Sequence, residues 1–233
     1  MDKVLEVTNL SKSYGKKEIL KNISFSLNRG KVMGILGPNG EGKTTLLNTI
    51  IGLLHPSSGQ ILLEGEILPI ERKKKISFLQ DKNVMSKWMK VKDAEKFYRK
   101  FFEDFSREKM NEMVDLMLVD SKAKINSLSK GNIEKVNLAL ALSRKVPLYI
   151  LDEPISGIDI ITREKIIEAI IGNIDENSSM IITTHFIGEL ENLFDEVIFL
   201  KDGMILESGD AEELRVKYGT SIEGVYKKIF GEG

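Results

Sequence analysis

The stretch Gly37–Thr45 reads GPNGEGKTT and decides the fold of this 233-residue chain. It is a full match to the pattern G-x-x-x-x-G-K-[ST]. The apolar segment before it, Lys31–Leu36, predicts a buried strand, and Thr44–Ile51 predicts a helix. A glycine-rich loop in this position lets backbone N–H groups point at phosphate oxygens, and the helix N-terminus adds partial positive charge. The stretch therefore predicts a nucleotide phosphate site.

The residues of this loop have different expected roles. Lys43 is expected to reach the β- and γ-phosphates, and Thr44 to offer its hydroxyl to Mg²⁺. A glycine-rich turn before an unrelated helix is the alternative, but such a turn does not require the complete motif between a strand and a helix. The residues predicted to bind the nucleotide are Gly37, Pro38, Asn39, Gly40, Glu41, Gly42, Lys43, Thr44 and Thr45.

A strand that ends in acidic residues supplies the other half of such a site. Leu148–Pro154 reads LYILDEP, an apolar run followed by Asp152 and Glu153. Asp152, at the strand end, suits Mg²⁺ coordination through water, and Glu153 is placed to orient or deprotonate an attacking water. Two adjacent acids before a proline are more often a solvated turn when they stand alone. Together with the phosphate loop they predict hydrolysis in addition to binding.

Composition narrows the class of protein. The chain has 34 Lys and Arg against 35 Asp and Glu, a formal net charge of −1, and no Cys. These counts exclude a disulfide framework, a thiolate metal site and a cysteine nucleophile, and argue against a broadly basic nucleic-acid-binding domain. Asp2, Lys3 and Glu6 interrupt the apolar core that a signal peptide needs. No apolar run approaches the ~18 residues of a membrane span, so the chain alone is not expected to cross a bilayer.

Short apolar runs alternate with helical patterns, which predicts an α/β fold with a mostly parallel sheet and flanking helices. The N-terminal stretch differs, because Val4–Val7 and Ile23–Leu27 predict strands of an antiparallel β subdomain with a turn at 13–16. Gln60–Leu63 and Ile67–Ile70 predict a hairpin. A helix is predicted at Thr162–Ile174, and strands at Leu148–Leu151, Met180–Thr183, Glu196–Leu200 and Met204–Glu207, with a turn at 201–203.

The middle of the chain predicts a small helical insert with two apolar stripes. The segment Asp93–Phe105 carries a phenylalanine stripe, and Glu108–Leu118 carries a methionine stripe at similar spacing. We interpret both as core packing between helices, because apolar periodicity usually marks a buried face. The residues of the stripes are Phe97, Phe101 and Phe105, and Met110, Met113 and Met117.

Taken in order, these motifs resemble those of the nucleotide-binding (ATPase) subunit of ATP-binding cassette (ABC) transporters, over about Val4 to Gly209. The resemblance implies roles for further residues. Tyr14 stands where the family has an aromatic residue that stacks on adenine. Gln80 matches the glutamine that senses Mg²⁺ and leads into the helical subdomain. His185 matches the switch histidine that contacts the γ-phosphate, and Asp159 ends the SGID loop that contacts the opposite subunit.

The family signature, commonly LSGGQ, reads LSKGN at 128–132. Ser129 and Gly131 remain where the family uses a hydroxyl and a backbone N–H against the γ-phosphate of ATP on the partner subunit. Lys130 replaces a glycine and Asn132 a glutamine. Two interpretations of Lys130 stay open, since its charge either attracts phosphate or lies in solvent with little effect.

The resemblance also implies an architecture: a P-loop NTPase core with an N-terminal antiparallel β subdomain and a small α-helical subdomain. We expect one ATPase domain over residues 1–233, with the core at 1–80 and 145–233 and the helical subdomain at about 81–144. In the family the phosphate loop of one subunit and the signature of another enclose each ATP. A homodimer, or pairing with a similar subunit, is therefore expected. Catalysis is assigned to Glu153, His185 and Gln80, and Mg²⁺ binding to Thr44, Gln80 and Asp152.

The remaining expectations concern partners and location. The resemblance implies an integral membrane permease on a separate polypeptide, a cytoplasmic position at the inner face of the cell membrane, and no nucleic-acid partner. The compact chain and its LSKG form favour export, with import as the alternative. A soluble ABC ATPase of translation or DNA repair is disfavoured, because neither a second cassette nor a long heptad insertion is present. A GTPase or small-molecule kinase leaves Gln80 and His185 unexplained, and the chain has no N-K-x-D motif.

Overall fold

A computed structural model describes residues 2–67, 73–80 and 85–231, and only the backbone of Ile161. The strands in these ranges form two sheets. The strands are β1 (Lys3–Tyr14), β2 (Lys17–Asn28), β3 (Val32–Leu36), β4 (Ser58–Leu63), β5 (Ile76–Leu79), β6 (Leu148–Asp152), β7 (Ser179–Thr183), β8 (Glu196–Lys201) and β9 (Met204–Asp210). One sheet is antiparallel and has the strand order β2-β1-β4. The other sheet has the order β5-β6-β7-β3-β8-β9, and its neighbouring strands are parallel except for β8 and β9.

Helices accompany the parallel sheet, as the alternating pattern predicts. Strands β3, β6 and β7 are buried at every residue, so both faces of the sheet centre are covered. The described helices are α1 (Lys43–Ile50), α2 (Val91–Phe101), α3 (Arg107–Leu116), α4 (Lys130–Leu142), α5 (Ile160–Ile171), α6 (Ile187–Leu190), α7 (Ala211–Tyr218) and α8 (Ile222–Phe230), with 3₁₀ segments at Ile125–Ser127 and Glu191–Leu193. The predicted α/β fold with an N-terminal antiparallel sheet is confirmed. Its division into core and helical subdomain stays a prediction.

The antiparallel strands are longer than the sequence pattern predicts. β1 and β2 have 12 residues each, and the predicted turn between them is confirmed at Gly15. Their pairing carries several register shifts, which interrupt the apolar alternation that marks a strand in sequence. In the second predicted hairpin, β4 and the turn at Glu64 are confirmed, whereas Ile67 is not in a strand and 68–70 lie outside the described residues.

The two apolar stripes of the helical insert have different environments. Met110, Met113 and Met117 are buried, as predicted. For Phe97 and Phe101 the core-packing interpretation is wrong, because they are 51% and 62% exposed and their rings contact each other at a centroid distance of 4.4 Å. Helix α2 also ends at Phe101, so the buried Phe105 lies beyond it. Instead, α2 buries the face that carries Val91 and Ala94.

A buried arginine fastens the helical insert to the sheet. Arg144 is 4% exposed and donates hydrogen bonds to both carboxylate oxygens of Asp104, at 2.9 and 2.8 Å. It also donates to the carbonyl oxygen of Ile76, at 2.6 Å, at the start of β5. The guanidinium stacks on the ring of Phe102 at 3.8 Å. These contacts connect the segment between α2 and α3 with the strand that leads to Gln80.

The order of the parallel strands brings the motif residues to one edge of the sheet. β3, β6 and β7 are neighbours and run in the same direction. Gly37 follows β3, Glu153 follows β6, and His185 comes two residues after β7. Because the carboxyl ends of parallel strands share one edge, these residues meet where α/β proteins place their ligands.

Candidate active site

The glycine-rich loop folds around the ammonium group of Lys43. Gly42 adopts φ 100°, a left-handed conformation that favours glycine, and caps the start of α1. Lys43 is buried, and its Nζ donates to the carbonyl oxygens of Gly37 and Pro38, at 2.6 and 2.8 Å. Burial lowers the pKa of Lys43, while the nearby carboxylates of Glu153 and Asp152 act in the opposite direction. The loop thus holds the desolvated ammonium group of Lys43 at the N-terminus of α1.

A cavity of about 330 Å³ opens beside this loop. Tyr14, half-exposed at the end of β1, forms part of its lining, and the ammonium of Lys12 lies 5.1 Å from the centre of the Tyr14 ring. The cavity combines an aromatic ring, loop backbone and acidic groups, which are the elements that a nucleotide with its phosphates needs. Its lining residues are Tyr14, Ile19, Asn39, Gly40, Gly42, Lys43, Thr44, Thr45, Asp152 and Glu153.

Asp152 presents a pair of oxygen ligands together with Thr44. Its carboxylate is buried at the end of β6 and accepts a hydrogen bond from Thr183 Oγ1, at 2.5 Å. The second carboxylate oxygen lies 3.4 Å from Thr44 Oγ1. Mg²⁺ prefers such oxygen donors and is commonly held by one or two carboxylates plus substrate phosphates and waters. The described residues contain no cluster of three or more His, Cys, Asp or Glu side chains that could hold a metal ion.

Glu153 and His185 are in direct contact. Oε2 of Glu153 lies 2.7 Å from Nδ1 of His185 and accepts the backbone N–H of His185 at 3.2 Å. Glu153 itself adopts φ 55°, and its N–H donates to Thr183 O at 3.0 Å. Such a conformation costs energy for a non-glycine residue and persists where the surroundings fix it. The structure therefore holds this carboxylate in one orientation.

The ionisation of Glu153 responds to opposing effects. Burial raises its pKa above the ordinary value for a glutamate, and His185 and Lys43 oppose this rise. A carboxylate with a raised pKa is a better proton acceptor near neutral pH than an ordinary glutamate. Glu153 therefore combines fixed geometry with the basicity that a general base needs.

Gln80 lines the same cleft as the two acids. It follows β5 and lines a narrow cleft together with Glu134, Asn137, Asp152 and Glu153. The cleft connects the end of β5 with α4, the helix that begins at the signature. Gln80 therefore lies in the cleft between the two acids and α4.

The signature residues start helix α4. Ser129 is its N-cap, and its hydroxyl accepts the backbone N–H of Asn132 at 3.2 Å. Gly131 packs against the SGID loop so closely that a Cβ added there would lie 3.0 Å from the carbonyl oxygen of Gly157. Asp159 caps α5 and accepts the backbone N–H of Thr162 at 3.0 Å, and its hydrogen bonds from Thr162 lower the pKa of Asp159. The signature and the SGID loop thus form one joined surface.

Several predicted site residues do not line the nucleotide cavity of the single chain. None of residues 128–132 is among those that line it. Asp159 does not line it either, and its carboxylate lies 3.6 Å from the ammonium of Lys135. Residues 39, 40 and 42–45 of the loop share the cavity with Asp152 and Glu153, whereas Ser129, Gly131 and Asp159 lie elsewhere on the same chain. The other predicted residues outside the lining are Gly37, Pro38, Glu41, Gln80 and His185.

Sequence reasoning missed four residues of the site. Ile19 of β2 lines the nucleotide cavity, and Thr183 donates a hydrogen bond to Asp152. Glu134 and Asn137 line the Gln80 cleft. Thr183 had a signal, because it is the polar residue at the end of the buried strand β7. Ile19, Glu134 and Asn137 had none, since their positions depend on how β2 and α4 pack in the fold.

Comparison with known proteins identifies the family. A family model described as ABC transporter matches residues 20–156, more than half of the chain. The chain belongs to the ABC transporter family. As an ABC ATPase it binds and hydrolyses ATP, the activity that the loop and the paired acids predict. Every helix within 2–67, 73–80 and 85–231 is too short or too polar to span a membrane.

Individual relatives cover almost the whole ABC ATPase chain. The linearmycin resistance ATP-binding protein of Bacillus subtilis is 31% identical over 224 residues, which are 93% of this chain and 72% of that protein. The Nod factor export ATP-binding protein I of Sinorhizobium fredii is 30% identical over 216 residues, 89% of this chain and 63% of that protein. A solved dimeric ATP-binding cassette in a post-hydrolysis state, bound to ADP and Pi, has a TM-score of 0.77 at 24% identity and covers 88% of this chain and 98% of its own.

Proposed function

We propose that this ABC ATPase powers the export of a substrate across a membrane through a separate permease. The observation that carries the proposal is an apolar groove of about 190 Å³ between the catalytic core and the helical insert. Leu53 and Phe78 form the core side of this groove, and Tyr98 and Phe102 form the insert side. Phe78 lies in β5, two residues before Gln80, so a partner in the groove contacts the strand that leads to the cleft of Gln80.

The groove suits an apolar element of a permease at its cytoplasmic side. Leu53 is 54% exposed and lines the groove together with Phe78, Tyr98 and Phe102, so the apolar surface is contiguous, which is typical of an interaction site. Arg144 links the insert to the start of β5, so a displacement of the insert also displaces the strand that leads to Gln80. We accordingly place the ATPase at the inner face of the cell membrane, bound through its permease.

A second ATPase subunit completes each nucleotide site in this proposal. The phosphate loop and the signature lie apart on one chain, and both are phosphate-binding elements at helix N-termini. A head-to-tail dimer brings Ser129 of one subunit to the cavity of the other. The dimeric cassette bound to ADP and Pi supports this arrangement, because its fold matches over 88% of this chain. We propose a second copy of this chain as the partner, with a similar subunit as the alternative.

Each site residue has a role in hydrolysis under this proposal. The loop N–H groups and Lys43 bind the phosphates, and Tyr14 stacks on adenine. Thr44, Asp152 and Gln80 would hold Mg²⁺, which would neutralise phosphate charge. Glu153 orients the attacking water and takes its proton, and His185, fixed by Glu153, contacts the γ-phosphate. Loss of the γ-phosphate then removes contacts across the dimer and lets it open.

The names of two relatives support the direction of transport. One relative is named for Nod factor export and another for linearmycin resistance. Both names suit movement of a compound out of a cell, so we propose export and keep import as the alternative. The substrate contacts the permease in this arrangement, and its identity is therefore not encoded in the ATPase site.

Capture of the permease from membranes tests the proposal. The tagged full chain is incubated with native membranes in detergent, and an integral membrane protein with several spans is expected to co-purify. Leu53→Asp is expected to abolish capture while leaving ATP hydrolysis by the isolated chain unchanged. Leu206→Asp is the matched control, because Leu206 is similarly exposed but does not line the groove. Capture of ribosomes or DNA instead of a membrane protein, or equal capture by Leu53→Asp, contradicts the proposal.

A further inference from the structure

A second, larger cavity lies at the opposite edge of the sheet from the nucleotide site. It has a volume of about 490 Å³ and is lined by the residues that precede three parallel strands: Lys75 before β5, Pro147 before β6 and Ser178 before β7. Ser106, the N-cap of α3, and Lys109 in the first turn of that helix close it from the helical insert. The cavity therefore spans the seam between the core and the insert.

The lining of this cavity is predominantly cationic. Five cationic side chains line it against two carboxylates. A concave surface with an excess of one charge attracts ligands of the opposite charge. The cations are Arg29, Lys75, Lys109, Arg144 and Lys145, and the carboxylates are Glu64 and Asp175.

Most of these charges are already engaged. Glu64 pairs with Arg29 at 2.6 Å and with Lys75 at 3.0 Å. Arg144 pairs with Asp104 at 2.8 Å. Asp175 accepts the backbone N–H of its neighbour Asn177 at 2.8 Å.

Two lysines of the lining are left without a carboxylate partner. Within the described part of the chain, neither Lys109 nor Lys145 has an acidic oxygen within 4.0 Å. Lys109 is half-buried, and burial lowers its pKa, with Asp175 and Glu112 opposing and Lys145 adding to the decrease. A partly desolvated cation without a partner is unfavourable, and a bound anion offsets that cost.

The wall of the cavity also contains an unsatisfied acceptor. Asn173 is 5% exposed, and its Nδ2 donates to Ala169 O at 2.7 Å. Its Oδ1 receives no hydrogen bond from any residue that the structure describes. A buried amide oxygen without a donor is rare in folded proteins, and a ligand hydroxyl supplies such a donor.

We propose that this cavity binds a small organic phosphate that carries hydroxyl groups. The ammonium groups of Lys109 and Lys145 bind the phosphate as point charges, and Asn173 accepts from a ligand hydroxyl. A ligand held in this way contacts α3 of the insert and the loop before β6 at the same time. The bound ligand therefore connects the core with the helical insert on the side of the sheet opposite the nucleotide site. The proposal concerns binding alone and does not depend on transport.

Amide NMR of the full chain tests this site with a defined probe. The protein is saturated with Mg·ADP to occupy the nucleotide cavity and titrated with ribose 5-phosphate, with ribose as the uncharged control. Ribose 5-phosphate is expected to shift the amides of 143–146 and 172–178, and ribose is not. The double variant Lys109→Gln/Lys145→Gln is expected to weaken binding at least about tenfold. Lys122→Gln, an exposed lysine outside the cavity, is expected to bind as the wild type does.

Three results overturn the proposal. The first is a titration in which amides 143–146 and 172–178 do not respond. The second is an equal response to ribose and ribose 5-phosphate, which shows that the anion is not recognised. The third is unchanged affinity in the double variant. The first two results come from the wild-type protein, so they hold even if the double variant does not fold.

Discussion

The carboxylate of Glu153 lies 2.7 Å, through its Oε2, from Nδ1 of His185 and accepts the backbone N–H of the same histidine at 3.2 Å. Glu153 and His185 are thus one hydrogen-bonded unit in the single chain. Because the pair spans the ends of β6 and β7, a movement of either strand end changes both groups together.

The first prediction concerns a substitution that replaces the carboxylate of Glu153 with an amide of the same shape. Glu153→Gln is expected to lower the rate of ATP hydrolysis by about 10²- to 10⁴-fold, because the amide cannot accept the proton of the attacking water. ATP binding is expected to persist and to trap a dimer. Phosphate release and size-exclusion chromatography with light scattering measure the two effects. Glu164→Gln, on the exposed face of α5, is the control, and hydrolysis by Glu153→Gln at the control's rate removes Glu153 from this role.

The second prediction follows from the sign of the pKa shift at Glu153. Burial raises the pKa in the folded protein, so the folded state binds this proton more tightly than the unfolded state. The resulting stability is present below the unfolded pKa and is lost as pH rises through the folded pKa. Glu153→Gln, which never ionises, is therefore expected to gain in free energy of unfolding relative to the wild type as pH rises above the ordinary pKa of a glutamate. Urea denaturation measures this difference, and a difference that does not change with pH contradicts the sign.

The third prediction concerns the lysine in the signature. Lys130 is 78% exposed on its side chain, and its ammonium lies 3.5 Å from Glu134, which favours the solvated interpretation over attraction for phosphate. Exposed pairs of this kind contribute about 0–1 kcal/mol. Lys130→Gly is therefore expected to change the ATP concentration needed for dimerisation by less than about fivefold. Analytical ultracentrifugation in the Glu153→Gln background measures it, and a shift of tenfold or more shows that the charge faces phosphate.

The fourth prediction compares two phenylalanines of one sequence stripe. Phe97 is half-exposed and Phe105 is buried. Phe105→Ala is expected to lower the free energy of unfolding by about 3–5 kcal/mol, because it leaves a cavity in the core. Phe97→Ala is expected to change it by less than about 1 kcal/mol. Urea denaturation of the two variants decides between the environments, and equal losses restore the core-packing interpretation of the whole stripe.

Sequence predicts the motif-bearing parts of this fold well, for a physical reason. Gly37–Thr45 is recognisable because loop conformation and phosphate access restrict its glycine, lysine and hydroxyl positions, and a buried parallel strand such as β6 is a continuous apolar run. Apolar periodicity gives less information about what packs against a helix face. It identifies the stripe of Phe97 and Phe101 but not what covers it, so an exposed apolar face has the same pattern as a core face.

Long-range packing explains what sequence does not predict in the site. The cavity beside Lys43 includes Ile19 because β2 passes behind the loop, and no local pattern encodes that approach. The contact between Glu153 and His185 joins residues that are 32 positions apart. Its existence depends on the pairing of β6 with β7 and on the left-handed conformation of Glu153.

A mixing experiment tests the central claim, a nucleotide site shared between two copies of this chain. Lys43→Ala disables the phosphate loop, and Ser129→Asp keeps the N-cap of α4 but repels phosphate. Each variant alone is expected to be inactive. In an equal mixture half of the dimers are mixed, and each mixed dimer has one intact site, so about one quarter of the wild-type hydrolysis rate is expected to return. Full activity of Ser129→Asp alone, or no recovery on mixing at concentrations where the wild type hydrolyses ATP, contradicts the shared site.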